Sequence, residues 1–147
     1  FDTVTEEEWH RLVDINFKSV FYGTAYAAEE MRKTGGGVIL NTSSFTSTIP
    51  TCGIALYSAV KAGVDQLTRV FAAELAADHI RVNSIQPGMV VTPLTRENCE
   101  KNNDKLVSAI AMKRIRQDID GFTMQISGGK FATQNPHYSY RAEGETY

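Results

Sequence analysis

Two successive helix-to-strand units are the feature of this 147-residue sequence that most restricts its fold. A helical pattern from Thr5 to Lys33 ends at Gly35-Gly36-Gly37, and the apolar run Val38-Ile39-Leu40 follows as a predicted buried strand. A second helical pattern begins near Tyr57 and leads to a predicted strand at residues 80–85. This alternation indicates parallel strands joined by right-handed crossover helices. We therefore predict an α/β fold with a parallel sheet and flanking helices.

Composition and charge exclude several classes of function. With a formal net charge of −2 and 22% charged residues, the chain has no general attraction for nucleic acid or an anionic membrane. No apolar run approaches the roughly 20 residues that cross a bilayer, and no signal sequence begins the chain. Cys52 and Cys99 lack metal-ligand spacing, so we predict no metal site, free thiols and a cytoplasmic location.

The stretch from Asn41 to Lys61 contains the residues that are best placed for chemistry. Tyr57 and Lys61 are four residues apart at the start of the second helix, so their side chains share one helix face. A nearby ammonium favours the phenolate form of a tyrosine, which makes Tyr57 a candidate acid/base group. The pair alone is more often a packed phenol beside a solvated amine. Ser44 at the end of the preceding strand favours the other interpretation, a proton-transfer site beside a carbonyl or alcohol.

The first helix begins at a capping-box pattern and carries Asn16 within its apolar stripe. Thr5 is followed three residues later by Glu8, which is the spacing of a capping box. An asparagine on a buried face needs hydrogen-bond partners, because leaving it unpaired costs roughly 1–3 kcal/mol. Asn16 either braces neighbouring backbone or orients a water or side chain near the site, and the two interpretations are equally compatible with the pattern. The stripe is predicted at Trp9, Leu12, Val13, Val20, Ala27 and Met31.

The second helix has two distinct faces. One face is predicted to pack, and it consists of Tyr57, Lys61, Val64, Leu67, Thr68, Phe71 and Leu75. Alanines and Gly63 make much of the remainder small, which either permits close approach of another element, including a second subunit, or reflects the helix propensity of alanine.

The ends of the two strands are predicted to meet at one pocket, because ligands bind outside the carboxyl ends of strands in an open parallel sheet. Ser44, Pro87-Gly88 and Thr92 all follow strand ends. The loop 45–56 and the segment after Thr92 are expected to line this pocket. The polar and then amphipathic pattern of residues 95–117 predicts a helical lid. A third strand is predicted at residues 122–126.

Four short motifs, in this order and at this spacing, resemble those of the short-chain dehydrogenase/reductase (SDR) family. The resemblance covers residues 1–91 closely and residues 92–129 more loosely. It implies a Rossmann-like fold and an oxidoreductase that interconverts an alcohol and a carbonyl with NAD or NADP, which the sequence does not distinguish. The motifs are Asp14-Ile15-Asn16-Phe17, Asn41-Thr42-Ser43-Ser44, Tyr57-Ser58-Ala59-Val60-Lys61 and Pro87-Gly88-Met89-Val90-Val91-Thr92.

The resemblance also implies a role for each motif residue. Tyr57 would be the general acid in reduction and the base in oxidation, while Lys61 would favour its phenolate form and bind the nicotinamide ribose hydroxyls. Ser44 would hydrogen-bond the oxygen of a small alcohol or carbonyl substrate. Asn16 would hold a water that relays protons through Lys61. The residues expected to line the nicotinamide carboxamide are Pro87, Gly88, Val90 and Thr92. A homodimer or homotetramer would form through the two long helices.

The glycine-rich strand–turn–helix that receives a dinucleotide pyrophosphate is absent from this sequence. We therefore expect residues 1–129 to be the C-terminal part of an SDR catalytic domain without its N-terminal dinucleotide-binding half. Residues 130–147 are expected to form a polar tail, either loose or docked on a partner. Two functions follow: an oxidoreductase, or a non-catalytic truncated relative that associates through its two long helices.

Overall fold

Two parallel strands packed on long helices position the predicted site in this protein. The computed structural model describes residues 3–110, 115, 124–128 and 138–140. The helices are α1 (Glu6–Val13), α2 (Ser19–Lys33), α3 (Ala55–Glu74), α4 (Arg96–Lys101) and α5 (Asn103–Ala109), with a π-helical turn at Asp14–Lys18 and 3-10 turns at Phe45–Ser47 and Ala76–Asp78. The strands are β1 (Gly37–Thr42), β2 (Ile80–Pro87), β3 (Met124–Gly128) and β4 (Tyr138–Tyr140).

The predicted parallel pair is present at the centre of the fold. β1 and β2 run parallel in a continuous register from Gly37 beside Ile80 to Thr42 beside Ile85. The pairing continues one residue past β1, where the backbone N–H of Ser43 donates to the Ile85 carbonyl at 2.8 Å. Both strands therefore deliver the segments that follow them to the same edge of the sheet. The predicted α/β class with helices on a parallel pair is confirmed.

The third strand differs from the prediction in position and direction. β3 begins at Met124, which lies beside Pro87, and runs antiparallel to β2 until Gly128 lies beside Asn83. A parallel third strand requires the chain to travel back along β2 before it enters the sheet. The chain instead enters β3 at the carboxyl end of β2.

The predicted lid and tail each contain regular structure. The segment predicted as one helical lid forms the two short helices α4 and α5, and its residues 111–114, 116 and 117 lie outside the described part. Within the predicted tail, β4 extends the sheet by pairing antiparallel with β3, which places Tyr138 beside Ile126. The order of the strands in the sheet is β1-β2-β3-β4.

β1 is buried on only one face, which corrects the prediction of a fully buried strand. Ile39 and Asn41 are buried, whereas Val38 is 51% exposed and Leu40 is 57% exposed. Successive side chains of a strand point to opposite faces of the sheet. α2 and α3 pack on the face that carries Ile39, and the other face of β1 is uncovered by the elements that the structure describes.

The first helix keeps its predicted start but not its whole predicted stripe. The Thr5 hydroxyl accepts from the Glu8 backbone N–H and the Glu8 carboxylate accepts from the Thr5 N–H, which completes the capping box. Trp9 is 52% exposed, so its placement in the buried stripe was wrong. α1 packs on the start of α3, whereas α2 packs on β1. The fully buried positions are accordingly Thr24 and Ala28 of α2.

α3 is buried over a wider arc than its predicted packing face. Lys61, Val64 and Thr68 are buried as predicted, and Val60, Asp65 and Ala72 are buried as well. Gly63 explains how another element approaches so closely, since a Cβ atom at this position would lie 2.9 Å from the Phe17 ring of the π turn. The small face of α3 thus receives a segment of its own chain. No helix in the described residues has both the length and the apolar character needed to cross a membrane.

Candidate active site

Lys61 is joined to the end of β1 by two hydrogen bonds. Its ammonium Nζ donates to the Thr42 carbonyl oxygen at 3.0 Å, and the Ser43 hydroxyl donates to the Lys61 carbonyl oxygen at 3.0 Å. Lys61 is only 7% exposed. The start of α3 and the carboxyl end of β1 are therefore held together at the position where the sequence predicts chemistry.

Tyr57 and Lys61 lie side by side, as their spacing predicts. Tyr57 is the third residue of α3 and is half-buried. The Lys61 Nζ atom lies 5.7 Å from the centroid of the Tyr57 ring, within the roughly 6 Å over which a cation and an aromatic ring attract one another. The charged amine is therefore on the helix face that the phenol occupies.

Two opposing influences act on the ammonium of Lys61. Burial lowers the pKa of Lys61 below its ordinary value, because removing the charged form from water is costly, and the Asp65 carboxylate one helical turn away acts in the opposite direction. Burial is the larger of the two influences. The site therefore holds an amine that releases its proton more easily than a solvated lysine does.

Ser44 caps the 3-10 turn that follows β1. The side chain is 6% exposed, and its Oγ accepts hydrogen bonds from the Thr46 backbone N–H at 3.3 Å and from the Thr46 hydroxyl at 3.0 Å. In both bonds the Ser44 oxygen is the acceptor. The Ser44 hydroxyl can consequently donate a hydrogen bond to another oxygen, such as that of a substrate.

Asn16 lies in the π turn between α1 and α2. Its amide Nδ2 donates to the Leu12 carbonyl oxygen at 3.3 Å, so the side chain braces neighbouring backbone. The same turn packs on α3 through Phe17, whose ring lies against Gly63. Gly63 is two residues beyond Lys61 along that helix. Single π turns within α-helices are frequent at functional sites.

The residues predicted to line a nicotinamide ring lie at the carboxyl end of β2 and in the segment that follows it. Pro87 ends β2 and Gly88 follows it, so both lie at the sheet edge that Ser44 also reaches. Beyond them, the Thr95 hydroxyl donates to the Val90 carbonyl oxygen at 2.6 Å and accepts from the Thr92 backbone N–H at 2.8 Å. Thr92 itself is exposed and is tied into this turn at the start of α4.

A buried carboxylate, Asp65, was not predicted as part of the site. Asp65 is 3% exposed, and its oxygens accept from the Ser84 hydroxyl at 2.8 Å, from the Ser47 hydroxyl at 2.6 Å and from the Gln86 side-chain amide. The signal in the sequence was an aspartate four residues after Lys61, flanked by the predicted packing residues Val64 and Thr68. A charged residue on a packing face indicates a buried polar partner network.

The family is shown by comparison with known proteins. The family model for short chain dehydrogenases matches residues 1–103 of the chain. This chain belongs to the short-chain dehydrogenase family, and the predicted resemblance is confirmed.

Three known proteins illustrate the similarity. A cyclopentanol dehydrogenase of Comamonas testosteroni is 43% identical over 93 residues, which are 63% of this chain and 37% of that protein. A (3R)-3-hydroxyacyl-CoA dehydrogenase of Rattus norvegicus is 33% identical over 146 residues, covering 87% of this chain and 56% of that protein. A crystal structure of a putative NAD(P)-dependent gluconate 5-dehydrogenase from Beutenbergia cavernae, with bound NADP, superposes with a TM-score of 0.75 at 26% identity and covers 78% of this chain and 47% of that one.

The chain spans about half the length of these relatives, between 37% and 56%. The comparisons agree with the predicted nicotinamide dinucleotide cofactor, since one relative binds NADP.

Proposed function

We propose that this chain provides the acid/base part of an NAD(P)-dependent site that interconverts an alcohol and a carbonyl. The observation that carries the proposal is the buried ammonium of Lys61, held 5.7 Å from the Tyr57 ring and hydrogen-bonded to the end of β1. A solvated lysine beside a packed tyrosine was the competing interpretation, and 7% exposure of Lys61 argues against it.

In this proposal Tyr57 moves the proton and Lys61 assists it. The phenol donates its proton to the carbonyl oxygen in reduction, and the phenolate takes the alcohol proton in oxidation. The positive charge of Lys61 stabilises the phenolate by Coulomb attraction, which is stronger in a buried site than in water. The Ser44 hydroxyl donates a hydrogen bond to the substrate oxygen, keeps its proton, and so orients the reacting carbon. The dinucleotide supplies or accepts the hydride when it is bound.

The residues present fit the nicotinamide end of such a cofactor. An ammonium carries three N–H donors, of which Lys61 directs one to Thr42, so donors remain for ribose hydroxyls. Pro87 and Gly88 stand at the same sheet edge, at the carboxyl end of β2. Val90 and Thr92 continue that edge. We assign these residues to cofactor binding and Asn16 to holding a water near Lys61 at the π turn.

The relatives support a substrate class. Cyclopentanol and a 3-hydroxyacyl group, named in two of the relatives, each present a secondary alcohol. We therefore take a small secondary alcohol and its ketone as the substrate pair. The two free cysteines, Cys52 and Cys99, are compatible with action in a reducing cytoplasm.

Replacement of Tyr57 by phenylalanine tests the proposed chemistry. Loss of the hydroxyl removes the general acid and base, so we expect hydride transfer to fall by about 10²- to 10⁴-fold. The rate is followed through the absorbance of the reduced nicotinamide, with the chain alone and with the chain joined to the N-terminal half of a relative. Tyr26→Phe, on the exposed face of α2, serves as the matched control and is expected to keep the rate. A near-normal rate for Tyr57→Phe would remove Tyr57 from this role.

Association through the helices is a second proposed property, and one observation favours it. Aromatic side chains on α2 and α3 form a continuous group, in which Phe21 contacts both Tyr22 and Phe71 and Tyr22 stacks on Tyr26. The three members on α2 are exposed, whereas Phe71 of α3 is partly buried against the core. Aromatic side chains in such a group are typical of protein interfaces. We propose that a second copy of this chain covers them, in a homodimer or homotetramer, with or without catalysis.

A further inference from the structure

We infer that Asp65 is a positioning residue that joins the segments carrying Ser44, Lys61 and Pro87-Gly88. The inference rests on the proposed function, because those residues matter together only if they share one reaction. Asp65 lies one helical turn beyond Lys61 on α3, and its side chain points toward the end of β2 and the 3-10 turn after β1.

Three elements meet on the Asp65 carboxylate. From β2, the Ser84 hydroxyl donates to Oδ1 at 2.8 Å and the Gln86 amide donates to Oδ2. From the 3-10 turn, the Ser47 hydroxyl donates to Oδ2 at 2.6 Å. The Gln86 amide also donates to the Ser47 oxygen at 2.8 Å, which closes the group. Donors from β2 and from the 3-10 turn thus converge on one buried carboxylate of α3.

The position of the donors explains what the carboxylate controls. Ser47 is three residues beyond Ser44 in the same short turn, so its bond to Asp65 sets where that turn lies against α3. Gln86 immediately precedes Pro87, so its bond sets how β2 delivers the segment that follows. A carboxylate suits this position because both of its oxygens accept when it is ionised, whereas an amide would replace one of these two acceptors with an N–H donor.

Asp65 also supplies the charge that opposes the burial of Lys61. Residues four apart on a helix lie one above the other, and an opposite charge at that distance favours the ammonium form. On the elements packed against this part of α3, Asp14 and Lys18 of the π turn pair with each other at the surface at 3.2 Å, and Arg81 of β2 is exposed. Within the described residues, Tyr57 and Asp65 are therefore the titratable groups that accompany Lys61 on its helix face.

Titration of Lys61 in the 147-residue chain tests the electrostatic role. Protein labelled with ¹³C at the lysine side chains is titrated by NMR, and Lys61→Arg assigns the signal. We expect Asp65→Asn to move the Lys61 titration to lower pH, because the opposing charge is lost while burial remains. Glu74→Gln removes an equal charge from the exposed end of the same helix and is expected to leave the titration in place. An unmoved Lys61 titration in folded Asp65→Asn overturns the electrostatic role.

Amide hydrogen exchange tests the joining of the segments, and a second variant keeps the test valid if Asp65→Asn does not fold. Ser47→Ala removes one donor and keeps the carboxylate. We expect it to speed exchange at Thr46, Ser47 and Thr48 at least several-fold and to leave the Lys61 titration nearly unchanged. Thr51→Ala, at a half-buried position later in the same loop, is the matched control. Unchanged exchange at Thr46–Thr48 in Ser47→Ala overturns the proposed link.

The two proposals fail in different ways. The titration reports on Lys61 and the hydrogen exchange reports on the backbone, so neither measurement depends on turnover. If Asp65→Asn leaves the Lys61 titration unchanged and Tyr57→Phe is inactive, the role of Asp65 alone is rejected. A fully active Tyr57→Phe, with the Lys61 titration displaced in Asp65→Asn, rejects the proposed function alone.

Discussion

Lys61 and Asp65 are charged side chains in places where apolar ones would pack at lower electrostatic cost. Lys61 is 7% exposed and Asp65 is 3% exposed, and each is compensated by hydrogen bonds to groups on other elements. Burying a charged group is costly even when hydrogen bonds compensate for it, and an apolar side chain of similar volume is often at least as stabilising. The retention of both charges therefore fits a requirement of chemistry rather than of stability.

Ile80 and Leu40 provide a residue-scale test of where the core lies. Ile80 of β2 is 2% exposed and packs in the cluster with Ala28, Ile39 and Val82, whereas Leu40 of β1 is 57% exposed on the opposite face. We expect Ile80→Ala to lower the free energy of unfolding by about 2–5 kcal/mol through lost burial and a cavity. Leu40→Ala, the control, should change it by less than about 0.5 kcal/mol. Urea denaturation followed by circular dichroism measures both, and equal losses would contradict the observed core.

At the scale of single elements, the first helix shows how local chemistry defines an end. The reciprocal bonds of Thr5 and Glu8 satisfy two backbone N–H donors that a helix start would otherwise leave without partners. The hydrogen bonds from Thr5 lower the pKa of the Glu8 carboxyl below its ordinary value of 4.5. The ionised carboxylate is therefore the form that the folded helix start prefers.

Thr5→Ala tests the capping box. We expect the substitution to lower the free energy of unfolding by about 1 kcal/mol near neutral pH. Because the folded state lowers the pKa of Glu8, its contribution is fully present above the ordinary value of 4.5 and is lost as the pH falls through the lowered folded value. The difference between the two proteins should consequently shrink in acid. Thermal unfolding at a series of pH values checks this, with Thr3→Ala, which precedes the helix, as the control. A difference that grows in acid would contradict the capping role.

At the scale of the whole molecule, two apolar surfaces lie on opposite sides of the sheet. Val38 and Leu40 form one on β1, and the aromatic group of α2 and α3 forms the other. Tyr26 in that group is 66% exposed and Phe21 is 42% exposed. Large contiguous apolar surfaces are uncommon on isolated soluble domains and mark sites of contact.

Light scattering after size exclusion tests association through the α2–α3 surface. We expect the chain to form a dimer or tetramer and Tyr26→Lys to shift it toward monomer, because a buried unpaired charge disfavours the interface. Leu94→Lys introduces the same charge at a side chain that is 93% exposed in the loop before α4, so it should leave the mass unchanged. A monomeric parent chain, or a Tyr26→Lys variant of unaltered mass, would contradict this assignment.

The sequence determined the features that depend on neighbouring residues. The capping box at Thr5 and the placement of Tyr57 and Lys61 on one helix face were predicted from local spacing. Both follow from hydrogen bonds and helical periodicity within a few residues, so the amino acids that produce them stand together in the chain. The parallel pairing of β1 and β2 was predicted from the order of helices and strands along the chain.

Only the tertiary structure decided the features that depend on distant elements. The antiparallel direction of β3, the exposure of Val38, Leu40 and Trp9, and the burial of Asp65 all differ from, or are missing in, the sequence interpretation. Burial depends on which elements cover a face, and strand direction depends on how the intervening chain travels. Asp65 gained its importance because Ser47, Ser84 and Gln86, up to 21 positions away, fold onto one carboxylate.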